Sequence, residues 1–229
     1  MKATKPSRAR QASVSEEDYL KAIYHMQLEL QEPISARLSE ALGVTPPAVT
    51  TALKRLVRRG NVRLDPEAGR IRLTPKGRAL AQSMVLRHRL IERLLTDVLG
   101  MDWKAVHDEA EKLEHAISPE LERRLLERFG RDAACPHGNP FFGGLAKLRR
   151  QGAKPMDQAQ AGERLRVIRV SERVPDFLAF LERLQLLPGA EVRVLEKTFD
   201  ETMTVDVGRQ RHHLGKSTTQ QIWVKKIGR

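Results

Sequence analysis

The sequence predicts a mainly α-helical protein with a smaller β part, arranged as three domains within 229 residues. Two short amphipathic segments separated by a turn precede a pair of short alternating segments. A long helical region rich in Leu and Arg follows, and alternating apolar residues fill the last part of the chain. A period of 3.6 residues indicates helix and a period of 2 indicates strand. These observations predict a winged helix-turn-helix domain, a helical domain and a compact, mostly β module.

The first predicted domain covers residues 1–75. A helix is expected from residue 13 to about 31, because Ser13 and Ser15 are each followed by an acid three residues later, as in a capping box. A second helix fits residues 34–42. After a turn at residues 43–45, Pro46 and Pro47 open a third helix that runs to Arg59. Residues 61–64 and 70–73 alternate around a Gly-containing turn, which predicts a β-hairpin.

The third helix is the predicted recognition helix of this helix-turn-helix unit. Hydroxyl and cationic side chains on its polar side suit contacts to base edges and phosphates in a major groove. An arginine on the hairpin, or wing, suits the phosphate backbone. The expected DNA-binding residues are Thr45, Pro47, Thr50, Thr51, Lys54, Arg55 and Arg70.

The charge of the chain points to a polyanionic partner. The sequence has 41 Lys and Arg against 29 Asp and Glu, a net charge of +12, and nucleic acid is the first candidate for such a basic chain. An anionic membrane surface is the competing partner, but no apolar run approaches the ~20 residues that span a bilayer. The basic N-terminus lacks the apolar segment of a signal peptide. We therefore expect double-stranded DNA as the partner, and no membrane.

The cysteine and aromatic contents narrow the class further. A single cysteine, Cys135, excludes an intramolecular disulfide and fits a reducing, cytoplasmic location. Aromatic residues make up only 4% of the chain, which argues against modules that stack the bases of single strands.

The second predicted domain, residues 76–132, carries metal-competent side chains at helical spacing. Positions three and four apart on a helix share a face, so His107, Glu111, Glu114 and His115 are predicted to form one stripe. A second stripe lies on the preceding helical segment, where His88 and Glu92 are four residues apart. Imidazole and carboxylate donors suit Mn²⁺, Fe²⁺ or Zn²⁺ rather than Cu⁺. The alternative is a charged, solvated helix face without a metal.

Two further features of the middle of the chain bear on assembly. Six of the residues from position 90 to position 99 are apolar, which is more apolar surface than one helix of a small domain can bury. This surface predicts either a dimer interface or an ordinary buried helix.

Residues 133–161 lose periodicity and are expected to form a linker. We interpret Cys135 and His137 in this segment as an incidental pair, since two donors in a Pro- and Gly-containing loop rarely suffice for a site.

The last predicted domain, residues 162–229, has the pattern of short strands with one helix. Residues 165–170, 192–194, 203–207 and 222–224 alternate as strands, and residues 175–187 predict a helix that Pro188 and Gly189 end. His212 and His213 are adjacent on a strand and therefore point to opposite faces, so we expect this pair at the surface.

Together, these residues resemble the diphtheria toxin repressor family of metal-dependent transcription regulators, which has iron-sensing and manganese-sensing branches. The resemblance covers nearly the whole chain. It is most specific at residues 15–24, 87–95 and 106–115, and the segment from Cys135 to Pro140 is similar to the family's linker signature. It implies a winged-helix domain, a helical dimerisation domain that holds the metals and a C-terminal SH3-like domain of the FeoA type.

The family pattern also implies metal ligands in this sequence. By resemblance, the principal metal site uses Asp18 with Glu111, Glu114 and His115. An ancillary site uses His88, Glu92 and His107. Glu172 and Asp176 lie near positions from which the C-terminal domain of the family supplies further ligands.

Two departures from the iron branch favour manganese. That branch has Cys at the position of Glu111 and Met at the position of Asp18, and replacing soft sulfur by hard carboxylate favours Mn²⁺. However, the short manganese regulators carry a second acid one turn after their aspartate, where this chain has Lys21. The expected effector is Mn²⁺, with Fe²⁺ as the alternative, while Zn²⁺, Co²⁺ or Cd²⁺ substitute in vitro.

The sequence therefore predicts a homodimeric, metal-dependent repressor that binds a palindromic operator and controls metal-ion homeostasis genes. It predicts no catalytic residues and no small-molecule substrate. One alternative is a metallohydrolase, although neither HExxH nor HxxEH occurs and many protein ligands leave no open coordination position. The other is a winged-helix regulator without a metal.

Overall fold

A computed structural model describes residues 15–65, 69–172 and 174–228. Two compact units are present: residues 15–27 and 31–82 form the first, and residues 28–30 and 83–228 form the second. Among the described residues, none of the helices is both long and apolar enough to cross a membrane.

The first unit is a winged helix-turn-helix. Helices α1 (Glu16–Leu28), α2 (Ser35–Leu42) and α3 (Pro46–Arg58) precede the antiparallel hairpin β1 (Val62–Leu64) and β2 (Ile71–Leu73). Gly43 ends α2 at φ 61°, a left-handed conformation that glycine adopts without steric cost. The apolar face of α3 is buried, and its four buried side chains are Val49, Ala52, Leu53 and Leu56. The burial of this face leaves the polar side of α3 exposed.

The helical part of the second unit follows. Helix α4 (Pro75–Asp97) begins in the first unit and continues into the second, where α5 (Val106–Leu113) and α6 (Pro119–Phe129) pack with it. Ser118 caps α6, since its hydroxyl accepts a hydrogen bond from the Leu121 amide at 3.2 Å. The apolar core shared by these helices includes Leu90, Ile91, Val106 and Leu125.

A six-stranded antiparallel sheet forms the rest of the second unit. Its strand order is β3-β8-β4-β5-β6-β7. The strands are β3 (Ala153–Pro155), β4 (Arg164–Val170), β5 (Glu191–Lys197), β6 (Met203–Val207), β7 (Gln210–Leu214) and β8 (Ile222–Lys226). Helix α8 (Pro175–Arg183) buries Leu178 and Leu181 against one face of the sheet, where apolar side chains of β4, β5, β6 and β8 form the core.

Three segments differ from the sequence-based expectation. Residues 133–161, expected as a linker, contain helix α7 (Gly144–Arg150) and strand β3, because Leu145, Leu148 and Ala153 pack against Trp223 of β8. A short helix α9 (Lys216–Thr219) precedes β8. Helix α8 ends at Arg183, four residues before the expected end, and Gln185 has a positive φ of 57°.

His212 and His213 are adjacent residues of β7, so their side chains point to opposite faces of the sheet, as expected. His213 is exposed and lies 3.1 Å from the Thr204 hydroxyl. His212 is half-buried, and its Nε2 atom is buried without a hydrogen-bond partner. The surface expectation therefore applies to His213 but not fully to His212.

Candidate metal centre

Three side chains of α4 and α5 converge in the second unit. His88 and Glu92 are one turn apart on α4, and His107 lies in the first turn of α5. His88 Nε2 lies 3.1 Å from Glu92 Oε1 and 2.9 Å from His107 Nδ1, and His107 Nδ1 lies 3.2 Å from the same carboxylate oxygen. Helical periodicity brings the first two together, as the sequence predicts, and the packing of α5 on α4 adds the third.

A second group shares Glu92 and draws the other ligands from more distant parts of the chain. Cys135 and His137 come from the loop after α6, and Glu172 follows β4. Suitable donor atoms of these four residues all lie within 4.8 Å of one another, and all four residues are buried. His137 Nδ1 lies 3.6 Å from Glu92 Oε1 and 3.4 Å from Glu172 Oε2. One carboxylate, that of Glu92, therefore belongs to both groups.

A tight turn places Cys135 and His137. The Cys135 amide donates to the Asn139 carbonyl at 2.9 Å, and the Gly138 amide donates to the Cys135 carbonyl at 2.9 Å. The Val170 amide in β4 donates to the His137 carbonyl at 2.9 Å, which fastens the turn to the sheet. A Cβ at Gly138 would lie 2.0 Å from the Ile168 carbonyl oxygen, so this close approach requires glycine.

Neighbouring polar groups orient two of these donors. His137 Nε2 donates to the backbone carbonyl of Trp103 at 2.8 Å, which leaves Nδ1 to face the carboxylates. The Asn139 side-chain amide donates to Glu172, while its carbonyl accepts from Arg169 at 2.9 Å. Both donors are thus held in the orientation that coordination requires.

The electrostatics of the centre fit a cation. Glu92 is 0% exposed, and its Oε2 atom is buried without a hydrogen-bond partner. Burial and the charge of Glu172 oppose ionisation of Glu92, but the three surrounding histidines outweigh them and hold its pKa well below the usual range. The imidazoles lie at Oε1 of Glu92, and its Oε2 atom has no hydrogen-bond partner, so two buried carboxylates and these imidazoles form a donor set that suits a divalent cation.

Burial and the neighbouring carboxylates also shift the pKa values of Cys135 and His137. Burial, with the negative charges of Glu92 and Glu172, raises the pKa of the Cys135 thiol to about 12. Burial lowers the pKa of His137, but hydrogen bonds to Cys135, Glu172 and Glu92 reverse this and raise it. Both groups hold protons that a bound cation would displace, since metal ligands must be deprotonated.

The predicted principal-site residues are placed differently from the expected stripe. Helix α5 ends at Leu113, so Glu114 and His115 lie in the turn that follows it and the expected single helical stripe is wrong. Glu114 is buried, and its Oε2 lies 2.6 Å from His88 Nδ1. His115 Nε2 lies 3.8 Å from the other oxygen of Glu114. Glu114 is the C-cap residue of α5 and keeps helical dihedral angles, and its side chain reaches His88 of α4.

The remaining predicted ligands are not members of the two buried groups, except for Glu172. The Glu111 side chain is 53% exposed and lies 4.0 Å from His107 Nε2. Asp18 lies on α1 in the first unit, where its carboxylate accepts a hydrogen bond from the Ser15 amide at 2.7 Å and the Ser15 hydroxyl accepts one from the Asp18 amide at 3.1 Å. This is the capping box that the sequence predicts. Asp176 is exposed in the first turn of α8.

Sequence reasoning misses two residues that the structure brings into the centre. Cys135 and His137 look incidental in the sequence because their partners are remote along the chain. One signal is available: Cys135 is the chain's single cysteine, and His137 follows it at a spacing that lets both side chains face one ligand.

The expected DNA-binding residues all lie exposed in the first unit. The Thr50 and Thr51 hydroxyls donate to the carbonyls of Pro46 and Pro47, at 3.1 and 2.9 Å, so their oxygens remain available to accept. Arg55 lies 3.8 Å from Glu16, and Arg70 lies 3.6 Å from Glu32. Both ion pairs are long and both arginines are exposed, and such pairs contribute little stability.

A winged helix-turn-helix joined to a helical domain with buried imidazole, carboxylate and thiol donors defines a metal-binding regulator that binds DNA. Three family models match the chain in succession. They are "Iron dependent repressor, N-terminal DNA binding domain" at residues 12–69, "Iron dependent repressor, metal binding and dimerisation domain" at residues 74–143, and "FeoA domain" at residues 154–226.

Individual relatives agree with these matches. The diphtheria toxin repressor of Corynebacterium efficiens is 38% identical over 184 residues, which cover 78% of this chain and 79% of the relative. The iron-dependent repressor IdeR of Mycobacterium leprae is 32% identical over 226 residues, which cover 92% of this chain and 96% of the relative.

Solved structures are similar over almost the full length. A manganese-dependent transcriptional repressor in complex with manganese has a TM-score of 0.80 at 30% identity, covering 93% of this chain and all of that one. The IdeR protein of T. acidophilum has a TM-score of 0.75 at 29% identity, covering 95% of this chain and all of that one.

The chain belongs to the diphtheria toxin repressor family of metal-dependent transcriptional repressors. This confirms the resemblance found in the sequence and excludes the metallohydrolase alternative, because the relatives are repressors and not enzymes. The FeoA match fits the expected SH3-like architecture, whose closure as a barrel stays a prediction.

Proposed function

We propose that this protein is a homodimeric repressor that binds a palindromic operator in double-stranded DNA when Mn²⁺ is bound, and so controls genes of metal-ion homeostasis in the cytoplasm. The observation that carries the proposal is the fully buried Glu92 carboxylate, whose Oε2 atom has no hydrogen-bond partner and whose neighbours are metal-competent donors. The three histidines already stabilise the charge of Glu92, but a buried polar atom without a partner is costly, and a cation bound at Oε2 would remove that cost.

Two sets of ligands are proposed. The buried centre would hold a cation through Glu92 with His88 and His107, and with Cys135, His137 and Glu172. The principal site, inferred from the family pattern, would use Glu111, Glu114 and His115 with Asp18. The contact between Glu114 and His88 supports a connection between the two sets, because one side chain then reaches both of them.

Regulation would follow from where the ligands lie on the chain. Asp18 is in the first turn of α1 in the DNA-binding unit, whereas Glu111 and Glu114 belong to the second unit. A cation bound by both would restrict how the DNA-binding units of a dimer are spaced. The spacing must match half-sites about one helical turn (~34 Å) apart. Metal and operator would then strengthen each other's binding reciprocally.

Mn²⁺ is proposed as the effector because Asp18 and Glu111 provide hard oxygen donors. Cys135 points the other way, since a thiolate favours Fe²⁺ or Zn²⁺ over Mn²⁺. Fe²⁺ is therefore the second candidate, and relatives carry names of both kinds. The two sets of ligands differ in softness, so they would also differ in metal preference.

The decisive experiment is a DNA-binding titration on a duplex selected from a random-sequence library. Selection with Mn²⁺ should enrich a two-fold symmetric sequence, whereas selection with a chelator should enrich none. Titrations with Mn²⁺, Fe²⁺ and Zn²⁺ in parallel then rank the effectors. A selected duplex that binds equally well in chelator would exclude metal activation.

The roles on the DNA side can be separated in the same assay. Thr50→Val or Thr51→Val should change which bases the selected duplex prefers, because the hydroxyls would read base edges. Arg55→Gln or Arg70→Gln should weaken binding to all sequences alike and reduce the salt slope by about 0.9 per lost phosphate contact. Arginine variants that change the preferred bases would overturn this assignment.

A further inference from the structure

The positive charge of the chain is divided between its two ends. Residues 1–82 contain 15 Lys and Arg against 8 Asp and Glu, and residues 144–229 contain 17 against 10. Residues 83–143 between them are slightly acidic, with 9 against 11. The C-terminal domain is therefore as basic as the DNA-binding domain, although its proposed contribution to the metal centre, Glu172, requires no positive charge.

Much of this charge lies on one face of the six-stranded sheet. Antiparallel partners point to the same side of a sheet. Arg166 is paired with Lys225 on β8 and with Glu191 on β5. The next row runs across four strands and consists of Arg164, Arg193, Asp206 and Arg211. We call Arg164, Arg166, Arg193, Arg211 and Lys225 the basic sheet face, and all five are exposed.

The basic sheet face has more cations than its own carboxylates neutralise. Glu191 accepts hydrogen bonds from Arg166 at 2.8 Å and from Arg164 at 3.5 Å. Asp206 accepts one from Arg211 at 3.1 Å. Within the described part of the chain, Arg193 and Lys225 have no ion-pair partner. This leaves a surplus of three positive charges on a face that is open to solvent.

The neighbouring structure defines the extent of the face. At one end of the face, next to Lys225 on β8, Arg149 of α7 lies over the Trp223 ring at 5.6 Å and adds a further exposed cation. At the other end, beyond the row that contains Arg193 and Asp206, Glu196 lies opposite Thr204, and the row of cations ends there. The opposite side of the sheet is the buried apolar core, so the charge is confined to one surface.

We propose that the basic sheet face contacts the phosphate backbone of duplex DNA that the winged helix-turn-helix unit has bound. This inference rests on the proposed function, since it requires that the first unit binds DNA. Guanidinium groups suit phosphate recognition, and four of the five cations are arginines. Because both surfaces belong to one chain, DNA held by the first is present at high effective concentration for the second.

The test compares two charge-matched triple variants of the full-length, Mn²⁺-loaded protein. The face variant carries Arg164→Gln, Arg193→Gln and Lys225→Gln. The control variant carries Arg183→Gln, Lys197→Gln and Lys216→Gln, three residues of the same domain outside the face. A third protein, with Arg164→Lys and Arg193→Lys, keeps the charge of the face. Thermal unfolding checks that all of them fold.

The probe is a 40-base-pair duplex that carries the sequence selected with Mn²⁺, and its affinity is measured against salt concentration with Mn²⁺ or with a chelator. The face variant should lower the log–log salt slope by about 2 to 3, as three lost phosphate contacts require. The control variant and the lysine variant should keep a slope close to that of wild type. A face variant whose slope equals that of the control overturns the inference.

The assay separates this inference from the proposed function. If wild type binds DNA equally with Mn²⁺ and chelator, the proposed function fails, whatever the face variant does. If the Mn²⁺ response persists while the face variant matches the control, only the inference fails. Sedimentation with phosphatidylglycerol vesicles tests the other polyanion. Loss of vesicle binding in the face variant alone, with an unchanged DNA slope, would assign the face to a membrane surface and overturn the DNA contact.

Discussion

The Nδ1 atom of His88 lies 2.6 Å from Oε2 of Glu114, and the Nε2 atom of the same ring lies 3.1 Å from Glu92. One imidazole thus joins a carboxylate that family resemblance assigns to the principal site with one that belongs to the buried centre. A change of charge at either carboxylate therefore affects the other through the His88 side chain. If cations bind at both proposed sites, we expect their occupancies to depend on each other through His88.

Glu92 is the residue on which the buried centre depends most. Glu92→Gln should abolish metal binding there, because it removes the charge and an oxygen donor from both ligand groups. The metal-free variant should be less stable than metal-free wild type, because the favourable interactions of Glu92 with the three histidines outweigh the repulsion by Glu172 that the change relieves. Wild type should gain about 2.7 kcal/mol of stability at a metal concentration about 100 times Kd, and the variant should not. Thermal unfolding with and without Mn²⁺ measures this gain, and the control is Glu109→Gln, whose carboxylate pairs with Lys112 and belongs to neither ligand group.

Metal binding at the buried centre should release protons. The pKa of the Cys135 thiol, raised to about 12, means that the thiol is protonated at neutral pH before metal binds. Coordination requires the thiolate, so affinity should rise with pH. Cys135→Ser should reduce the number of protons released and shift preference away from Zn²⁺ and towards Mn²⁺. Calorimetry in buffers of different ionisation enthalpy counts the protons, and an unchanged count would exclude Cys135 as a ligand.

Gly138 holds the turn that carries two of the donors. Its φ is +86°, and a Cβ there would lie 2.0 Å from the Ile168 carbonyl oxygen. Gly138→Ala should therefore displace Cys135 and His137 and weaken metal binding, with a stability loss above the roughly 1–2 kcal/mol of a left-handed residue. Gly162 has the same φ, but nothing lies within 4 Å of the position that its Cβ would take, so Gly162→Ala isolates the backbone cost. Equal losses of metal affinity in both variants would contradict the close-approach argument.

Glu111 tests whether the exposed position acts in metal selection. Glu111→Cys should shift the activating ion from Mn²⁺ towards Fe²⁺ or softer ions, because a thiolate replaces a carboxylate. Glu111→Ala should weaken the metal response while leaving the protein folded, since the side chain is 53% exposed and does not belong to the core. Metal and DNA binding are measured on the same preparations. Retention of wild-type Mn²⁺ dependence by Glu111→Ala would exclude Glu111 from the site.

Local patterns predict those parts of the fold that neighbouring residues determine. The capping box at Ser15 and Asp18, the Pro46 start of α3 and the alternation in β4 all appear in the structure. Helix α8 ends early at a local turn, in which Gln185 has a positive φ and the Leu186 amide donates to the Leu181 carbonyl at 2.9 Å. The packing of α7 depends on tertiary contacts, which periodicity does not report. Leu148, for example, is buried against Trp223, a residue 75 positions later in the chain.

The candidate site shows the same division. His88 and Glu92 are one helical turn apart, so their proximity can be predicted from spacing alone. Cys135, His137 and Glu172 meet them only because the turn at Gly138 is fastened to β4 by the hydrogen bond from Val170. The spacing of residues along the sequence does not predict a contact between segments that are so far apart in the chain. The single helical stripe is wrong because α5 ends before Glu114.

The buried centre takes its donors from four places between residues 88 and 172, and this has a consequence for the unfolded chain. A cation held by Glu92 and Glu172 closes a loop of roughly eighty residues, much as a disulfide would, and long closed loops restrict the denatured ensemble strongly. The ion would thus act as a removable cross-link between the dimerisation helices and the C-terminal domain. Loss of metal would loosen the attachment of that domain before either part unfolds.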